Sequence, residues 1–203
     1  ALGVLERGLE NLPDEIELLF QMGRVFFVQA RYDEARKTLD RVLSLQPERA
    51  EARELLAQIH LNNRDGEQAL AVLRQGLEHS PNSALLQARL GALLLQEGRV
   101  DEAAGHLQNA LRADPDRDEV YYNLGQALLR AGKEAEGRQL LDYFSLLQRE
   151  HQNAHQQAAQ GAGQGAFQAD RPFCAWRHAT ETGDQNRCAP PPLADLTAEG
   201  VRQ

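Results

Sequence analysis

Cysteine is scarce in this chain. The two present, Cys174 and Cys188, both lie in the last quarter, too few in 203 residues for a disulfide framework. Long apolar runs are missing as well: nothing approaches the roughly 18 consecutive apolar residues of a membrane helix, so direct membrane insertion is not expected. Positive charge is in deficit. A net charge of −8 argues against nucleic acid as a partner, because phosphate contacts need concentrated basic residues. Residues 1–151 hold 18 basic and 25 acidic side chains, so the acidity belongs to the first three-quarters. The opening ALGVLERGLE carries charges where a signal peptide needs an unbroken apolar core, and there is no initiator Met. The sequence therefore reads as a fragment or processed product with no visible targeting segment, and the compartment, cytoplasmic or periplasmic, stays open. Grouped catalytic motifs are lacking too: no Ser–His–Asp or Cys–His arrangement, no phosphate-cradling glycine loop and no supported carboxylate pair. The expectation is a chain that is not an enzyme and takes no cofactor.

What the sequence does have is a period. Prolines stand at Pro13, Pro47, Pro81 and Pro115, each 34 residues after the last. The same spacing aligns Leu5, Leu39, Leu73, Leu107 and Leu141 in one column, and Ala1, Ala35, Ala69, Ala103 and Gly137 in another. A third column holds Gly23, Ala57, Gly91 and Gly125. Within 84–117, Leu86, Leu90, Leu93 and Leu94 form one helical stripe, EGRVDEA interrupts it, and Ala103, Leu107, Ala110 and Leu111 form a second before DPD. Each unit is thus a pair of helices joined by a short turn. Small residues belong where two helices cross closely. One pair cannot bury both faces, so the units must stack.

The period and these residues resemble the tetratricopeptide repeat family, most clearly in LLQARLGALLLQEGRVDEAAGHLQNALRADP (85–115) and EVYYNLGQALLRAGKEAE (119–136), where Tyr121, Leu124 and Gly125 take the family's aromatic, Leu and Gly positions. The resemblance implies an all-α, right-handed superhelical solenoid of antiparallel helix pairs over residues 1–160, with a half unit at 1–15 and full units at 16–49, 50–83, 84–117 and 118–151. Arg53 and His60 stand where the family prefers aromatics, and Arg149 stands where its proline should be. Without that proline the last helix is expected to continue as a solvating cap to about residue 160, with Gln148, Gln152, Gln156 and Gln160 on one stripe. Residues 161–203, with GAGQGAF, ETGDQNR and APPP, read as a disordered tail or linker. Their LADLTAEGV resembles the opening of β-propeller-like domains that follow such arrays in some bacterial exported proteins.

The resemblance also implies a function, the holding of a protein or peptide ligand in a concave groove lined by the first helix of each unit. Carried over, the inward positions are Glu17, Phe20, Arg24 and Phe27; Glu51, Glu54, Gln58 and Leu61; Leu85, Ala88, Ala92 and Leu95; and Glu119, Tyr122, Gln126 and Leu129. The expected groove is apolar and acid-rimmed, with Phe20 and Tyr122 as accessible aromatic anchors and an apolar row of Phe27, Leu61, Leu95 and Leu129. The family's carboxylate clamp is not reproduced, because its places hold Phe20, Arg24, Leu55, Leu85 and Arg89. An alternative reading is self-association through the N-terminal helix, which offers Leu2, Leu5, Leu9 and Leu12; another is the repeat part of a larger exported multidomain protein. Cys174, His178 and Cys188, with His151 and His155 one turn apart, are metal-ligand types. Their spacing fits no compact Cys–x2–Cys pair, so no metal site is expected. His60, His79 and His106 are expected to be structural.

Overall fold

A computed structural model describes the backbone of residues 2–161 and the side chains of residues 2–156. These residues form helices α1 (Leu2–Asn11), α2 (Ile16–Val28), α3 (Tyr32–Leu45), α4 (Ala50–Asn62), α5 (Gly66–His79), α6 (Ala84–Gln96), α7 (Val100–Ala113), α8 (Asp118–Arg130) and α9 (Glu134–Gly161). Consecutive helices pack in pairs, α2 with α3, α4 with α5, α6 with α7 and α8 with α9, and each pair stacks on the next. Helix α1 lies against α2. Among the described residues, no helix is long and apolar enough to cross a membrane.

The third column sets the pair geometry. A Cβ placed on Gly91 would sit 2.7 Å from Leu107 Cγ and 3.1 Å from the Ala103 carbonyl oxygen. One on Gly125 would sit 2.9 Å from Leu141 Cδ2 and 3.1 Å from the Gly137 carbonyl oxygen. The small residue of each first helix therefore lies under the leucine of its own second helix, which is why the two columns share one period. That leucine is then enclosed on all sides: Leu39, Leu73 and Leu107 are buried, each contributing roughly 1.5–3 kcal/mol by leaving water. The buried side chains form two clusters. One gathers Leu19, Phe26, Leu39, Leu56 and Ile59, the larger one Leu73, Leu86, Leu94, Leu107, Tyr121 and Leu128, and Val72 packs against both.

The turns repeat as closely as the helices. Ala30, Arg64, Gly98 and Gly132, again 34 apart, have positive φ of 57°, 61°, 78° and 79°. In each, two reaching-back hydrogen bonds close the first helix: Arg31 N–H donates to Phe26 O at 2.9 Å and Ala30 N–H to Phe27 O at 3.0 Å, with the same pattern at Asp65, Arg99 and Lys133. This double bond satisfies carbonyls that the helix end would leave bare. The prolines act at the other turn, where α3, α5 and α7 stop two residues before Pro47, Pro81 and Pro115. Arg149 imposes no such stop, and α9 runs on for 28 residues. The expected tail, beyond Gly161, lies outside the described residues.

Candidate binding groove

First helices touch one another along the array, α2 with α4, α4 with α6 and α6 with α8. The second helices make no comparably broad contact with each other, so the stack bends with its first helices on the inside. The face that α2, α4, α6 and α8 turn away from their partners becomes a groove, lined by residues that share a helical stripe.

At its N-terminal end the groove departs from the sequence expectation. Phe20 is only 6% exposed and belongs to the core. Arg49, which precedes α4, lays its guanidinium 4.6 Å over the Phe20 ring, and Arg24 lies 6.0 Å from it. The cause is the next unit: Arg49 is fixed there by Glu17 at 2.8 Å and Glu51 at 3.2 Å, and so covers the ring. Phe20 is not an accessible anchor. Glu17 is held below the usual carboxylate range by its hydrogen bond from Gln21 and then by Arg49. Arg24 is exposed and donates to Gln21 at 3.1 Å, while Phe27 is half-buried with its ring centroid 5.9 Å from that of Tyr32.

In the middle, Glu54 on α4 pairs with Arg89 on α6 at 2.5 Å and accepts from Gln58 at 3.1 Å. Leu61 is 39% exposed, Leu85 and Ala92 are half-buried, and Ala88 is buried. Leu95 is buried beneath the reach of Arg130, whose Nη1 donates to the Leu95 carbonyl at 2.9 Å. The expected row therefore presents Phe27, Leu61 and Leu129 but withholds Leu95. At the C-terminal end Glu119 is exposed and pairs with Arg117 at 3.2 Å, and Gln126 and Leu129 are half-buried. Tyr122 is 45% exposed and leans on Phe144 of α9, ring centroids 5.4 Å apart. The acid rim is also changed by the fold: Glu17, Glu51, Glu54 and Glu119 each face an arginine, so much of the negative charge is neutralised within the groove.

Models of the tetratricopeptide repeat match residues 20–84 and 94–162, together well over half of the chain. The chain belongs to the tetratricopeptide repeat family. It is 30% identical over 137 residues to tetratricopeptide repeat protein 8 of Caenorhabditis elegans, covering 65% of this chain and 26% of that protein. It thus spans about a quarter of that relative's length. Among solved structures, MamA superposes with a TM-score of 0.59 at 19% identity, over 74% of this chain and 87% of that one. YrrB, described as a tetratricopeptide repeat protein with an unusual peptide-binding site, superposes with a TM-score of 0.55 at 22% identity, over 78% of this chain and 81% of the other.

Two departures from the repeat consensus are absorbed structurally. Arg53 is buried and donates to Gln75 at 2.6 Å, its pKa lowered by burial. His60 is half-buried with Nδ1 3.9 Å from Asp65. His106 bonds through Nδ1 to Gln87 at 2.7 Å, and burial pulls its pKa down. His79 is exposed. Among the described residues no three His, Cys, Asp or Glu side chains gather as metal ligands; Cys174, His178 and Cys188 lie outside them. Sequence reasoning missed Arg49, Arg117, Arg130 and Phe144 as shapers of the groove. A signal existed for the first two, which stand 68 residues apart, each directly before a first helix.

Proposed function

We propose that this repeat array is a protein-binding scaffold that holds a peptide or helix of a partner against the first-helix groove. The observation that carries the reading is Tyr122, a large aromatic side chain left nearly half exposed on the concave face of an otherwise packed helix. Rigid aromatic groups on accessible surface are the residues most often worth binding energy. Around it, Leu129, Gln126 and Leu85 supply apolar and amide surface, and further along Leu61, Phe27 and Arg24 extend the track. The structural likeness to a repeat protein that has a peptide-binding site supports a peptide ligand. Paired glutamates and arginines along the rim select partners by steering charge and contribute less to holding them.

Tyr122→Ala should weaken capture of a partner peptide by about 1–2 kcal/mol, read by calorimetry, with thermal stability nearly unchanged. Phe20→Ala should behave oppositely, costing roughly 3–5 kcal/mol of folding stability because it empties a core site. A variant at Tyr122 that binds as well as wild type would remove the groove reading. A second reading rests on the N-terminal end: Leu2 and Leu9, expected to face a neighbouring array, pack against the core instead, but α1 leaves Val4 65% exposed and Leu12, just after it, is 56% exposed. There the array would self-associate, and sedimentation should show dimers that dissociate when Val4 and Leu12 become lysine. A strict monomer at all concentrations rejects it.

A further inference from the structure

The two halves of the first helices differ in charge along the groove. Their first halves hold Glu17, Glu51, Glu54 and Glu119, each opposite an arginine. From the small residue of the third column to the helix end, residues 23–28, 57–62, 91–96 and 125–130, there is no Asp or Glu, in a chain that carries 30 of them. The helix dipole accounts for part of this, because a carboxylate is unfavourable in a last turn. It does not account for Arg24, which stands before the last turn of α2 and gains little from that dipole.

Two arginines of this half form no ion pair among the described residues. Arg24 is exposed, and its guanidinium donates to the Gln21 amide oxygen at 3.1 Å. Arg130 is exposed as well and donates to the Leu95 carbonyl at 2.9 Å, which also quiets the negative end of α6. The surface between them is uncharged. Phe27 and Val28 follow Arg24 on the same helical face, Val28 82% exposed; Leu61 is 39% exposed one unit on, and Ala92 and Leu129 are half-buried beyond it. Read across the units, this half of the groove runs cation, apolar surface, cation.

We propose that this half of the groove takes an extended acidic segment of a partner protein, with carboxylate side chains at both ends and apolar side chains between. The inference rests on the groove reading above and adds the charge pattern of the ligand. One carboxylate accepts from Arg24 and the other from Arg130 through charge-assisted bonds, and the apolar middle lies on Phe27, Val28, Leu61 and Leu129. Tyr122, one turn before Gln126 on α8, borders the same track. Because Arg130 reaches back from α8 to α6, two to three helix-to-helix steps of about 8–10 Å separate the two guanidinium groups. Roughly five to nine residues of extended chain cover that span. Two cations so placed call for two carboxylates within one segment, which side chains supply and a single chain terminus does not.

The test selects from a displayed library of random peptides of about 12 residues, long enough for the span and fused at both ends so that no free terminal carboxylate is offered, against the full chain and against Tyr122→Ala. Peptides lost with Tyr122→Ala should carry Asp or Glu on both sides of an apolar stretch. Made with acetyl and amide ends and titrated by calorimetry, they should bind about three- to tenfold more weakly when either flanking carboxylate is replaced by its amide, and likewise to Arg24→Met. Arg24→Glu with Arg130→Glu should turn the selection toward Lys and Arg at the same two places. Tyr122-dependent peptides that are neutral or basic, or that ignore both Arg24→Met and the loss of their own carboxylates, would overturn this inference and leave the groove reading standing. Peptides that bind Tyr122→Ala as well as wild type, or a selection that enriches nothing, would overturn the groove reading and the inference with it. Should the double variant not fold, Arg24→Met, at an exposed position, decides.

Discussion

At the residue scale, the turns carry a cost that the sequence can remove. Ala30 and Arg64 occupy the left-handed conformation that Gly98 and Gly132 occupy in the following units, and a side chain there costs roughly 1–2 kcal/mol. Part of that is offset by the greater freedom of glycine in the unfolded chain. Ala30→Gly and Arg64→Gly should each stabilise the array by about 0.5–1 kcal/mol in urea unfolding, and Gly98→Ala should do the reverse. His106 gives a pH dependence. Its pKa is lowered in the fold, by burial first, so below the ordinary imidazole range the unfolded chain takes up a proton before the folded one does. The resulting stability is complete above about pH 6.5 and is lost as pH falls through the depressed folded value. Thermal melts between pH 7.5 and 5.5 should show this loss, and His106→Gln should flatten it.

At the element scale, α9 differs from the other second helices in outrunning its partner. It passes α8 near residue 148, and there His151 Nδ1 lies 3.2 Å from the largely buried carboxylate of Asp118, which also accepts from Gln148 at 3.5 Å. Asp118 has its pKa raised by burial, and the exposed imidazole of His151 lies beside it. A half-exposed pair of this kind contributes about 0.2–1 kcal/mol. His151→Ala should therefore raise hydrogen-exchange rates from residue 148 onward by up to about fivefold while leaving the turns of α9 before Leu141 unchanged. Equal effects along the whole helix would show that the pair does not pin this end. The same element also meets Tyr122: Phe144 stands where the other second helices carry Val42, Gly76 and Ala110, and its ring packs against one side of the tyrosine.

At the scale of the whole molecule, stability is a sum of units and of the contacts between neighbours. The two buried clusters share Val72, so damage to one should spread unevenly. Gly91→Ala, which drives a Cβ into Leu107, should cost about 1–3 kcal/mol by overpacking. Hydrogen exchange should show the loss mainly across α6 to α8, with α2 and α3 retaining most of their protection. Uniform loss would mean that the array unfolds as one unit.

The period of 34, the helix pairs and the reason for Gly91 and Gly125 were all present in the order of residues. They depend on contacts within one unit, between positions a fixed distance apart in sequence, and such contacts leave columns that can be read directly. The helix bounds follow for the same reason, from prolines and small residues acting locally. The groove was only half legible. Its stripe of first-helix positions came from the repeat, but the fate of several side chains on it was decided by residues in another unit: Arg49 folding over Phe20, Arg130 reaching back to Leu95, Arg89 neutralising Glu54; Tyr122 meets Phe144 of its own unit. Those contacts join residues roughly 20 to 35 positions apart through long side chains whose direction no periodicity specifies. The sequence determined which positions face inward, and the packing of neighbouring units decided which of them a partner can touch.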